Sequence, residues 1–106
     1  MIDYINSAAD FDSKVLGGKG RILALFTAGW CPFCKVQGPR LIELEKSLGY
    51  HLCVVDVDAA AGVDDKYDVQ TIPSLLTFEG GELKGRNMIA YLQPGELEAW
   101  IKEQLA

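Results

Sequence analysis

Residues 30–35 of this chain read Trp-Cys-Pro-Phe-Cys-Lys and follow the apolar run Ile-Leu-Ala-Leu-Phe at 22–26. A short apolar run without polar alternation is typical of a strand that is covered on both faces of its sheet. Proline is favourable in the first turn of a helix, so Pro32 indicates a helix directly after this strand. Cys31 and Cys34, separated by two residues at such a turn, can close a small ring and therefore cycle between dithiol and disulfide.

Composition indicates one compact domain over residues 1–106. The chain is 49% hydrophobic, which is enough to bury a core without disulfide staples. Its 15 acidic residues against 10 basic ones give a net charge of −5, and no cluster of Lys and Arg occurs. Nucleic acid is therefore an unfavourable partner.

Membrane insertion is also unfavourable, because no apolar run approaches the roughly 20 residues that a spanning helix needs. The N-terminal residues Met-Ile-Asp-Tyr-Ile-Asn lack the positive and apolar regions of a secretion signal. We therefore expect a cytoplasmic protein, with a periplasmic form that has lost its leader as the alternative. In a reducing compartment, a Cys-x-x-Cys pair is more often catalytic or metal-binding than a structural staple.

The rest of the chain alternates between strand and helix patterns. Strands are predicted at 2–5, 22–27, 52–57, 75–78 and 83–89, and helices at 7–16, 32–48, 59–67 and 94–105. Pro39 should kink the second helix, and Gly49 should end it. Residues 79–82, Glu-Gly-Gly-Glu, indicate a hairpin between the last two strands. This order predicts an α/β protein with a mixed central sheet.

The chain resembles the thioredoxin family in its Trp-Cys-x-x-Cys-Lys segment, in Pro39 five residues beyond Cys34, and in Ile72-Pro73-Ser74 before the hairpin strands. The resemblance extends from Phe11 in the first helix to the apolar face of the last. It implies a thioredoxin fold with a central mixed sheet of four to five strands flanked by about four helices. It also implies a monomer that reduces disulfides in proteins, receives electrons from a thioredoxin reductase, and needs no cofactor beyond its own Cys31–Cys34 disulfide.

The two cysteines are expected to have different roles. Only a thiolate attacks a disulfide, and an unperturbed thiol has a pKa of about 8.5, so the attacking sulfur needs a site that stabilises negative charge. Cys31 lies at the start of the predicted helix, where the helix dipole and free N–H groups provide such a site. Cys34, one turn further, should be more buried and act as the resolving thiol, which attacks the mixed disulfide.

The resemblance implies a substrate-binding rim around Cys31. Pro73 would be a cis-proline that faces the cysteines, keeps a backbone N–H away from the thiolate and exposes the edge of residue 72 to an extended substrate. The residues expected to contact substrate are Trp30, Pro32, Phe33, Ile72, Pro73 and Ala90.

Three departures from the family pattern bear on mechanism. Pro32-Phe33 replaces the usual Gly-Pro and resembles the glutaredoxin dipeptide, which predicts a less reducing potential than that of an ordinary thioredoxin. Leu25 stands where a buried acid is expected, and Val54 stands where the lysine that faces it is expected. Ala90 aligns with a glycine of the groove. Deprotonation of Cys34 would then use water or another group.

Three alternative functions remain at this point. The active-site dipeptide suggests a glutathione-dependent glutaredoxin, although Gly80-Gly81 follows Pro73 too closely to be the glutathione-binding pair. The Pro32-Phe33 dipeptide is also compatible with a disulfide oxidase or isomerase. A non-catalytic module could instead bind a metal through Cys31, Cys34, His51 and Cys53. We expect Cys53 to be a buried apolar filler and His51 to face solvent at the end of its strand.

Overall fold

A five-stranded mixed sheet forms the centre of the computed structural model, which describes residues 1–106. The strands are β1 (Ile2–Ile5), β2 (Arg21–Thr27), β3 (His51–Asp56), β4 (Ser74–Glu79) and β5 (Glu82–Met88). They lie in the order β1-β3-β2-β4-β5, with β3 parallel to both β1 and β2, and β4 antiparallel to β2 and β5. The predicted fold is confirmed, with five strands.

Four helices flank this sheet. Helix α1 comprises Ala8–Asp10 and continues as a π-helix over Phe11–Leu16; the others are α2 (Pro32–Leu48), α3 (Val63–Lys66) and α4 (Pro94–Leu105). None of them is both long and apolar enough to cross a bilayer.

The sheet is covered on both faces, as the uninterrupted apolar sequence of β2 predicts. One face packs with α1 in a cluster that includes Phe11, Ala24 and Phe26. The other packs with α2 and α4 in a cluster that includes Leu25 and Leu41. All five residues at 22–26 are buried, so β2 is covered on both faces where it leads into the cysteine turn.

The ends of the helices follow local sequence signals. The Ser7 side chain caps α1 by accepting a hydrogen bond from the Asp10 N–H at 3.0 Å. Helix α2 has Pro32 in its first turn and ends at Gly49, whose φ of 70° places it in the left-handed region that favours glycine. The predicted bounds of α2 are confirmed. The predicted hairpin is confirmed too, with positive φ at both Gly80 and Gly81, as a type I′ turn requires.

The helix predicted over 59–67 is wrong in its first half, because only Val63–Lys66 is helical. The Asp56 carboxylate accepts hydrogen bonds from the N–H groups of Asp58 and Ala59, at 2.9 and 3.3 Å, and holds the backbone in a turn. Gly62 then takes a left-handed φ of 87°, so the helix starts only after it.

Candidate active site

Cys31 lies at the junction of β2 and α2, where it is the N-cap of the helix. Its backbone is extended, with φ −88° and ψ 114°, and its sulfur accepts a hydrogen bond from the Cys34 N–H at 3.3 Å. This N–H is one of the donors that a helix start leaves without an intrahelical partner. The bond and the dipole of the 17-residue helix both stabilise negative charge on Cys31 Sγ.

The two cysteines are equally inaccessible, so the expected difference in burial is wrong. Cys31 is 3% exposed and Cys34 is 5% exposed. Ala28 packs with both cysteines, and Val57 and Ile72 cover this small cluster. The exposed fractions of the two side chains therefore do not by themselves distinguish the two sulfurs.

The surroundings of Cys34 disfavour ionisation of its thiol. Burial raises its pKa above the ordinary value, and the adjacent Cys31 raises it further, while Thr27 and the Ala28 backbone oppose the shift. Near neutral pH, Cys34 therefore keeps its proton while Cys31 receives the stabilising backbone bond.

The Ile72–Pro73 peptide faces Cys31 and is cis, as the resemblance implied. The Cys31 thiol donates a hydrogen bond to the Ile72 carbonyl at 3.7 Å. The Ile72 N–H, by contrast, has no hydrogen-bond partner in the protein. The Pro73 carbonyl accepts a hydrogen bond from the Ile89 N–H at 3.1 Å. This bond joins the Pro73 segment to the turn that contains Ala90, so the structure brings both predicted rim segments together.

Exposed aromatic side chains surround the cysteine turn. Trp30 is 66% exposed, and its indole N–H donates to the Asp58 carboxylate at 2.9 Å. Phe33 is 41% exposed and packs edge-on against Tyr91, with 4.9 Å between ring centroids. Pro32 is exposed, while Ile72 and Ala90 are half-buried. Asp58 and Tyr91 were missed by the sequence analysis because their partners are distant in sequence.

Gln37 is a further residue that the sequence analysis missed. It is 1% exposed, and its amide donates to the carbonyls of Ile89 at 2.5 Å and Leu92 at 3.0 Å. These bonds tie α2, one turn beyond Cys34, to the turn that contains Ala90. A signal existed in the sequence, since Gln37 falls on the same helical face as Cys34 and Leu41.

No carboxylate occupies the position of the expected buried acid. Leu25 is 2% exposed and lies opposite Val54 of β3 and Leu75 of β4. The surroundings of Leu25 are therefore wholly apolar in the sheet, and the acid–lysine pair of the family pattern is replaced by a leucine–valine pair.

The four-residue metal site considered from the sequence is not assembled. His51 lies opposite Ile22 at the beginning of β2, whereas Cys31 follows the end of that strand. His51 does not face solvent as expected, because it is half-buried and pairs with Asp3 at 2.7 Å. Cys53 is fully buried, as predicted.

The fold and the paired cysteines at the start of α2 define a thiol–disulfide oxidoreductase. The thioredoxin family model matches residues 4–103. The chain belongs to the thioredoxin family.

Two curated relatives support this assignment. The chain is 37% identical to thioredoxin C-2 of Corynebacterium nephridii over 98 residues, which cover 91% of this chain and 90% of that protein. It is 38% identical to the thioredoxin of Bacillus subtilis over 81 residues, which cover 74% and 78% of the two chains.

Solved structures show the same fold. A mutant thioredoxin of Halobacterium salinarum superposes with a TM-score of 0.84 at 22% identity, covering 99% of this chain and 91% of that one. The thioredoxin of Fasciola hepatica gives 0.81 at 26% identity, covering 97% and 95%.

Proposed function

We propose that this chain reduces disulfides in proteins, with Cys31 as the nucleophile and Cys34 as the resolving thiol. The observation that carries this proposal is that the two sulfurs have different surroundings. Cys31 Sγ accepts the Cys34 N–H at the start of α2, whereas burial and the neighbouring sulfur raise the pKa of Cys34.

The reaction transfers two electrons in two exchange steps. The Cys31 thiolate attacks one sulfur of the substrate disulfide, which forms a mixed disulfide and releases the first substrate thiolate. Cys34 then loses its proton and attacks Cys31 Sγ, which releases the second thiolate and leaves the Cys31–Cys34 disulfide. Because Leu25 is apolar, the Cys34 proton passes to water or to the departing substrate thiolate.

An extended protein segment is the substrate that this surface fits best. The unpartnered N–H of Ile72 is available to pair with a substrate backbone, and the adjacent Pro73 has no N–H with which to disturb the thiolate. The exposed rings of Trp30, Phe33 and Tyr91 would contact the apolar side chains of that segment. The half-buried Ala90 would lie beneath it, and the exposed Pro32 beside it.

A glutaredoxin function is less well supported. Gly80 and Gly81 form the hairpin turn after Glu79, at the end of β4 that is remote from Pro73. They are therefore badly placed to bind glutathione beside Cys31. A disulfide oxidase or isomerase would use the same two sulfurs, so the reduction potential decides between these activities. A monomeric state and a cytoplasmic location stay predictions.

The electron donor distinguishes the reductase from the glutaredoxin. We expect insulin disulfides to be reduced at the expense of NADPH when a bacterial thioredoxin reductase is supplied. Glutathione with glutathione reductase should support less than about a tenth of that rate. The opposite preference would contradict the proposal, and activity with neither donor would contradict both functions.

A further inference from the structure

A second group of reactive side chains lies on the sheet, apart from the active-site cysteines. Asp3 of β1 lies directly opposite Cys53 of β3, and His51 precedes Cys53 by two residues, so all three side chains project from one face. Their ligand atoms lie within 4.8 Å of one another. The group is near the start of β2, because Cys53 pairs with Ala24 and His51 with Ile22.

The two distances from His51 Nε2 to its neighbours can be compared with those of a zinc coordination sphere. His51 Nε2 is 3.6 Å from Cys53 Sγ and 2.7 Å from Asp3 Oδ2. In a tetrahedral site with Zn–N of about 2.0 Å and Zn–S of about 2.3 Å, nitrogen and sulfur are about 3.5 Å apart. The nitrogen–oxygen separation in such a site is about 3.3 Å, so the Asp3 carboxylate needs to withdraw by roughly half an ångström.

The surroundings of the three ligands also suit a metal. Cys53 is fully buried, while the side chains of His51 and Asp3 are 15% and 30% exposed, so an ion could enter from the β1 side. A divalent cation at this position would be bound by the Cys53 thiolate and would neutralise the charge of the Asp3 carboxylate beside it.

We propose that Asp3, His51 and Cys53 bind one Zn²⁺ ion through Oδ2, Nε2 and Sγ, with a solvent water as the fourth ligand. Three protein ligands and one open position are an established arrangement for zinc. On binding, the zinc–sulfur bond replaces the S–H bond of Cys53, and the proton passes to the buffer. This site is independent of the redox activity, since it contains neither Cys31 nor Cys34.

Cobalt provides a direct test, because a Co²⁺–thiolate bond gives a charge-transfer absorption band in the near ultraviolet. The protein should carry Cys31→Ser and Cys34→Ser, so that Cys53 is its only thiol, and should lack a polyhistidine tag. We expect one Co²⁺ per chain with this band, displacement of Co²⁺ by Zn²⁺, and a higher Tm in the presence of Zn²⁺.

Single substitutions in the same background identify the ligands. Cys53→Ala should abolish the band, and His51→Gln and Asp3→Asn should each weaken Co²⁺ binding at least tenfold. Asp12→Asn removes an exposed carboxylate of α1 and is the matched control, which should bind Co²⁺ normally. Asp3→Asn tests the site even if the buried variants fold poorly. Absence of the band, its survival in Cys53→Ala, or unchanged affinity in Asp3→Asn would overturn the proposal and leave a hydrogen-bonded cluster only.

Discussion

Cys31→Ser is expected to lower the rate of insulin reduction by about three orders of magnitude or more, to the uncatalysed background. A serine hydroxyl is not ionised near neutral pH, and it cannot form the Cys31–Cys34 disulfide to which the dithiol is oxidised when it passes two electrons to the substrate. The backbone donor at Cys34 N would then have no thiolate to stabilise. The measurement is the NADPH-coupled assay with thioredoxin reductase, at equal concentrations of folded protein.

Cys34→Ser is the matched control for the assignment of roles. It should also lose turnover, but it keeps the nucleophile, so a mixed disulfide with substrate should accumulate. A non-reducing gel and intact mass would detect this adduct in Cys34→Ser and not in Cys31→Ser. Accumulation of the adduct in Cys31→Ser alone would reverse the two roles, and full activity in either variant would contradict the mechanism.

Leu25→Asp is expected to lower the free energy of unfolding by several kcal/mol at pH 7, because it buries a charge without a partner. The side chain at this position is 2% exposed and lies between Val54 and Leu75, neither of which can pair with a carboxylate. The variant should also acquire an additional titration in the pH–rate profile, since a carboxylate near the cysteine pair could accept a proton.

Leu25→Asn isolates the effect of charge, because asparagine has almost the same size as aspartate and is also polar, but it does not titrate. Desolvation would raise the pKa of the new carboxyl in the folded state above the unfolded value of about 3.9. The folded state then binds more protons, so stability is kept below about pH 4 and lost as pH rises. Urea unfolding should give the two variants equal free energies of unfolding near pH 4, and Leu25→Asp should become the less stable of the two as the pH rises towards 7. Equal stability of Leu25→Asp and wild type, with an unchanged pH–rate profile, would contradict this account.

The parts of the fold that depend on local chemistry were predicted from the sequence. Helix α2 has the predicted bounds because Pro32 is favourable in a first turn and Gly49 supplies the left-handed end. The hairpin followed from two adjacent glycines with positive φ. The position of Cys31 at the start of α2 follows from the same local signals.

Contacts between distant segments could not be predicted in this way. The burial of Cys31 depends on Val57 and Ile72, and the pairing of His51 depends on Asp3 of a separate strand. Gln37 donates to carbonyls more than 50 residues away. The helix predicted from residue 59 does not start there, because the Asp56 side chain accepts hydrogen bonds from the N–H groups of Asp58 and Ala59 and holds them in a turn.

A less reducing potential than that of an ordinary thioredoxin is the central expectation about this active site. A potential rises when the dithiol form is stabilised relative to the disulfide. Here the Cys34 N–H stabilises Cys31 Sγ, and Leu25 puts no negative charge where the family pattern has one. The Pro32-Phe33 dipeptide resembles that of glutaredoxins, whose potentials are about −200 to −230 mV, against about −270 mV for thioredoxin.

Equilibration in glutathione redox buffers, followed by thiol alkylation and mass measurement of the Cys31/Cys34 pair, determines this potential most directly. We predict a value between about −230 and −200 mV. A value at or below about −270 mV would contradict the account.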